Sequence, residues 1–231
     1  VVLTVTNSTD SDAGAAVLGP PPGQTLDEFM ATAATPAAEE NGFPPFLYSA
    51  VIPGGPGDVP PGGTLQALVT VLAGDWIVIG DGDQSPVRFS AADGPDSRTD
   101  APVADRTVEL SEFSFTGLDQ GLSVGSEIWE VKNTGTQPHM LLMGGLPSGT
   151  TADQFMAFIQ SDATGTPQAG GLTDADITPV AQGVLLVSSG QTLWLPVDLA
   201  PGTYGAVCFV TDPDTGMEHA VEGMVSVFTV G

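Results

Sequence analysis

The chain of 231 residues sets 28 acidic side chains against only 4 basic ones, a formal charge of −24. It has no cationic surface to displace counterions from phosphate, which excludes nucleic acid as a partner and sets anionic membrane surfaces against it. An apolar fraction of 41% supports a core, 30 glycines and 20 prolines point to short strands joined by turns, and no apolar run is long enough to span a bilayer. In chain order, "VVLTVTN" opens as a strand, "GQTLDEFMA" reads as a short helix, and "GGTLQALVTVLAGDWIVIGD" holds further strands. "AADGPDSRTDAPVAD", Ala91 to Asp105, is polar, carries proline and lacks periodicity, as a linker does. "RTVELSEFSF" and "EIWEVKN" are strands, and "TTADQFMAFIQ" is a helix with Phe155, Met156, Phe158 and Ile159 at helical spacing. "QTLWLPVDL", "TYGAVCFV" and "MVSVFTV" close the chain as strands.

The two halves repeat one another. Asn7 to Ala31 aligns without a gap on Asn133 to Ala157, matching Gly23 with Gly149, Thr25 with Thr151, and Phe29-Met30-Ala31 with Phe155-Met156-Ala157. A second block aligns Thr64-Leu65 with Thr192-Leu193, Gly74 with Gly202, Trp76 with Tyr204 and Gly80 with Cys208. The expected fold is all-β: two tandem Greek-key β-sandwich domains, each with a short helix insertion. The expected domains are residues 1–90, a linker at 91–105, and residues 106–231. The second repeat has extra residues, Arg106 to Ser126, ahead of "EIWEVKN", whereas the first begins at the matching strand. One strand of the first sandwich is therefore expected from upstream residues or from another molecule, and such an edge recruits partners by strand addition.

The soft metal-ligand residues concentrate in the second repeat. Its one cysteine, Cys208, and the chain's two histidines, His139 and His219, lie there, with Met224 close behind. Each has an ordinary reading when taken singly: Cys208 as a small buried hydrophobe, His139 as a turn histidine, Met224 as core. Tyr204 reads as a tyrosine corner, and Trp129 and Trp194 as core. Together, two imidazoles, a thiolate and a thioether suit copper. The first repeat has Ala13 and Gly80 at the positions of His139 and Cys208, and so keeps the fold without the donors. Clustered acids in "DGDQ" and "TDADIT" read as turn formers, and "NST" at Asn7 is a glycosylation sequon.

"NTGTQPHM", "GTYGAVC" and "HAVEGMV" occur in that order, and on these motifs the second half, Arg106 to Gly231, resembles the cupredoxins, the blue-copper proteins related to plastocyanin. The resemblance implies one copper in the second domain, held by His139, Cys208, His219 and Met224. There is one departure. Ten residues, "FVTDPDTGME", separate Cys208 from His219, where the family has only a few. This segment reads as a lid, and it leaves open whether His219 and Met224 reach the same point as His139 and Cys208.

The function expected is electron transfer or copper handling by an exported protein with a redox partner protein, and no catalytic residues are assigned. The alternative is a structural subunit of a filament or surface layer, self-assembling through the open edge of the first domain. An extracellular or cell-surface location is expected, with the periplasm as its alternative. A saline setting and an ordinary acidic secreted protein both fit the charge. No basic stretch followed by an apolar one opens the chain, so any export signal is expected to be already removed.

Overall fold

The computed structural model describes residues 1–33, 43–80, 85–94, 100–119, 121–165, 170–180 and 182–231. The first repeat runs β1 (Val2–Thr6), β2 (Ala15–Gly19), α1 (Leu26–Ala33), a 3-10 turn (Pro45–Tyr48), β3 (Val51–Gly54), β4 (Pro56–Gly57), β5 (Thr64–Val69), β6 (Gly74–Gly80) and β7 (Val87–Ala91). The second runs β8 (Arg106–Ser111), β9 (Ser114–Thr116), β10 (Gly125–Asn133), β11 (His139–Leu146), α2 (Ala152–Thr164), β12 (Thr178–Pro179), β13 (Gly183–Val187), β14 (Thr192–Leu199), β15 (Gly202–Val207), α3 (His219–Glu222) and β16 (Val225–Val230).

The duplication is visible in the pairing. β1 pairs antiparallel with β5 as β10 does with β14, and β3, β2, β6 and β7 follow one another as β13, β11, β15 and β16 do. Local chemistry repeats too. Asn133 Nδ2 donates to Gln137 O (2.7 Å) and Val187 O (2.9 Å), while Asn7 Nδ2 donates to Ser11 O and Val59 O (both 2.7 Å). That bonding consumes the amide of the "NST" sequon and buries Asn7, so in the folded chain its side chain serves the turn. Both helices open on a capping box, Thr25 with Glu28 and Thr151 with Gln154, each supplying acceptors to backbone N–H groups that lack intrahelical partners.

The repeats meet edge to edge. One layer is a six-stranded sheet in the order β1-β5-β14-β10-β8-β9, and the pairing of its second and third strands, β5 with β14, joins the first repeat to the second. The other layer is bridged where Ser188 N donates to Ile52 O (3.0 Å) and Leu185 N to Gly55 O (3.1 Å), and where β4 pairs with β13. Alternating residues of β10 and β14, such as Trp129, Val131, Leu193, Leu195 and Val197, point inward and join Leu18, Ile52 and Trp76 in one core. Trp194 departs from its expected core place. It sits between inward-facing Leu193 and Leu195 on β14, so the period of two turns it to the outer face, half-buried beside Ile128 and Pro196. Tyr204 forms the expected corner, its hydroxyl donating to Ala200 O (2.7 Å).

β8 runs parallel to β10, matching Val108 with Val131. At the equivalent edge of β1, no strand is paired among the described residues. "DGDQ", residues 81–84, lies outside the described residues. Asp176 in "TDADIT" accepts from Thr173 N (2.9 Å) and Thr173 Oγ1 (2.7 Å), as a turn former does. Among the described residues no helix is long and apolar enough to cross a membrane.

Candidate metal centre

The four residues expected at the site lie on β11 and on the closing stretch from β15 to the start of β16, which Met224 precedes. His139 opens β11, Cys208 follows β15, and His219 starts α3. β11 and β15 are neighbours, with Leu142 opposite Val207, which brings Cys208 alongside the start of β11. Met140 N then donates to Cys208 Sγ (3.3 Å).

The long spacing between Cys208 and His219 is resolved by a backbone detour. His219 N donates to Val210 O (2.8 Å), Thr211 bridges Glu218, and Asp212 N donates to Met217 O (2.7 Å). Residues 211–218 thus leave and return as a hydrogen-bonded hairpin. His219 follows Val210 in space, as though only Phe209 and Val210 separated it from Cys208. Ala220 N donates to Cys208 O (2.8 Å), and Met224 is tied to both ligand segments by Met224 N to His219 O (2.7 Å) and Cys208 N to Met224 O (3.3 Å).

The donor atoms form a compact triangle. His139 Nδ1 lies 3.2 Å from His219 Nδ1, and Cys208 Sγ lies 3.5 Å from His219 Nδ1 and 3.9 Å from His139 Nδ1. A point equidistant from the three corners is roughly 2.1 Å from each, matching metal–imidazole and metal–thiolate bonds of about 2.0–2.3 Å. These are the residues that could hold a metal together among the described ones, and all three are fully buried, as is Met224. A His₂Cys set with a thioether-bearing residue beside it fits copper by donor softness and by its trigonal form.

Without a metal these atoms are neutral. Burial pushes the Cys208 thiol up to about 12. Burial and the neighbouring His219 bring His139 down to about 4, against the pull of Glu112, and burial also lowers His219. Neutral imidazole is the form that binds a metal.

Sequence reading missed the residues behind these ligands. Glu112 Oε1 stands 3.4 Å from His139 Nε2 and accepts from Thr136 N (2.6 Å) and Gln137 N (2.7 Å). Burial raises the Glu112 carboxyl, but those backbone donors outweigh it and hold the group below its ordinary value. His219 Nε2 meets Gln137 Oε1 at 3.0 Å, and the Phe113 ring stands edge-on to His219 with centroids 5.0 Å apart. Only Gln137 carried a usable signal, its place two residues before His139. Gly135 leaves room for this shell, since a Cβ there would lie 2.6 Å from Glu112 Oε1. Gly135→Ala is therefore expected to push Glu112 away from His139 and to lower stability by about 1–3 kcal/mol, read as a drop in the thermal midpoint.

Ala15 pairs with Gly80, and Ala13 bridges Val59 as His139 pairs with Val187. The first repeat thus places alanine and glycine where the second places its histidine and cysteine.

No protein-family model matches the sequence, and no curated protein matches it. Solved structures similar to it include the dithionite-reduced auracyanin of the photosynthetic bacterium Roseiflexus castenholzii, 21% identical, with a TM-score of 0.34 over 54% of this chain and 94% of that one. Auracyanin A, a "blue" copper protein of Chloroflexus aurantiacus, is 16% identical, with a TM-score of 0.31 over 54% of this chain and 98% of that one. A multi-copper oxidase of Pediococcus acidilactici is 14% identical, with a TM-score of 0.31 over 100% of this chain, which spans 48% of that protein. Strand order and register make this chain a tandem pair of β-sandwiches, and the Nδ1, Nδ1, Sγ triangle of the second is a donor set that fits one copper.

Proposed function

We propose that the chain is an exported protein that binds one copper through His139, Cys208, His219 and Met224 and passes single electrons to a partner protein. The observation that carries this reading is the buried triangle of two Nδ1 atoms and one Sγ. Copper bound there supplies a one-electron couple. The protein's part is to hold the donors still. His139 is fixed by pairing with Val187 on β13, Cys208 by bonds that its Sγ accepts from Met140 N and its carbonyl from Ala220 N, and His219 by the bond its N–H donates to Val210 O. Burial of all three side chains keeps water from competing for the metal. The formal charge of −24 favours a partner with a basic docking face, whose association would slow as salt rises.

Adding Cu(II) to the full chain tests the reading. One copper per chain and an intense visible thiolate-to-copper band are expected, with the band bleached by a reductant and restored by an oxidant. Neither band nor bound copper would remove the copper site. A band that cannot be cycled would leave copper binding and remove electron transfer. Zinc takes the same three donors but is redox-silent, so elemental analysis of the purified protein separates the two metals.

A further inference from the structure

The hairpin between Cys208 and His219 buries a carboxylate that the copper reading does not require. Asp212 is only 6% exposed, and both its oxygens are used. Oδ1 accepts from Asp214 N (2.6 Å) and Thr215 N (3.2 Å), and Oδ2 accepts from Gln137 Nε2 (3.0 Å). A carboxylate can only accept, so it fixes which way the Gln137 amide points. The amide nitrogen faces Asp212, and its oxygen must then face His219 Nε2, 3.0 Å away. An amide oxygen only accepts, so His219 must carry its proton on Nε2. The lone pair is then on Nδ1, the atom in the metal triangle. The strand of hairpin holding Asp212 is itself held from the other repeat. Tyr48, on the 3-10 turn of the first repeat, donates its hydroxyl to Thr211 O and braces its ring edge-on against Phe43, with centroids 5.3 Å apart.

We propose that Tyr48, Asp212 and Gln137 are positioning residues. Acting in sequence, they fix the His219 tautomer and make the bound metal resident rather than cargo. The part of this that concerns copper rests on the reading above. The inference gives the extra hairpin and the donor-free repeat one shared task. The hairpin supplies the carboxylate, and the first repeat pins the residue next to it. With the ligand that begins α3 held from behind, His219 keeps Nδ1 aimed at the metal point, so a metal that leaves is readily recaptured. Outer-shell partners of this kind commonly set metal affinity by about 10–100-fold.

The test uses the full chain and the variants Gln137→Ala, Asp212→Ala and Tyr48→Phe, the last removing a single hydroxyl while keeping the ring. In metal-free protein, nitrogen-15 NMR is expected to show His219 as the Nε2–H tautomer with a slowly exchanging proton. That protection should vanish in Gln137→Ala and Asp212→Ala and weaken in Tyr48→Phe. In copper-loaded protein, loss of the visible band to excess EDTA is expected to speed up about 10–100-fold in the first two. Tyr48→Phe should speed it about fivefold, the scale of one hydrogen bond. Folded variants that keep the protected proton and release copper at the wild-type rate overturn the proposal, as does a wild-type His219 protonated on Nδ1. If the wild type takes up no copper while the NMR contrast stands, the copper reading falls and the positioning role remains.

Discussion

Cys208→Ser is expected to abolish the visible band outright and to weaken copper binding by more than the roughly 10–100-fold typical of losing an outer-shell partner. The band belongs to the sulfur, and a serine hydroxyl at this depth offers a harder, weakly acidic oxygen in place of a polarisable thiolate. The fold should survive. Cys208 is fully buried, and its sulfur makes only weak polar contacts, to Met140 N at 3.3 Å and to the two imidazoles at 3.5 and 3.9 Å, so in the metal-free chain it behaves largely as a small hydrophobe. Burying a hydroxyl there should cost about 1–3 kcal/mol. Absorption spectroscopy with copper and thermal unfolding without it separate the two effects. A serine variant that binds copper as tightly as the wild type would take Cys208 out of the site. Gly80 supplies the matching expectation for the first repeat: it occupies the equivalent strand position opposite Ala15, so the variant should bind no copper there in compensation.

The repeat was legible because its marks are local. The side chains of Asn7 and Asn133, and the capping boxes at Thr25 and Thr151, act within a few residues of themselves, so their spacing survives in the sequence. Three donors were legible by their order. What could not be read was closure of the hairpin, because Thr211 opposite Glu218 and Val210 bonded to His219 are decided by a turn with no fixed residue pattern. Glu112, Gln137 and Asp212 escaped for a related reason. Polar loop residues carry no periodicity, and Glu112 reaches the site from a different strand connection. The bonding of β5 to β14 was equally hidden. Its one trace is that "TLQALV" and "TLWLPV" carry no charged residue of the kind that guards an open edge. Trp194 was misplaced because its size suggested core, whereas its position in the alternation of β14 decides its face.

Leu193→Ala is expected to lower stability by about 2–5 kcal/mol, as for a fully buried leucine whose removal leaves a cavity, and to do so for both repeats at once. Leu193 is completely buried on β14, opposite Val131 within its own repeat and Val69 of the other. Its two methyl groups also lie 3.1 and 3.2 Å from where a Cβ on Gly54 would be. Gly54 has a φ of 106°, a conformation suited to glycine, so backbone of the first repeat passes close enough for a side chain of the second to complete its core. With both layers continuous across the junction, neither repeat can lose its packing alone. Calorimetry should therefore show one transition, shifted down by about 2–4 °C for each kcal/mol lost, with the copper band disappearing over the same interval. Two resolved transitions, with the band following only one, would make the repeats independent bodies. The single transition has a consequence for the metal. Through β5, Gly54 and Tyr48, the donor-free repeat is part of the frame that holds His139, Cys208 and His219 at their spacing, so damage to its core should be felt as faster loss of copper from a site it does not line.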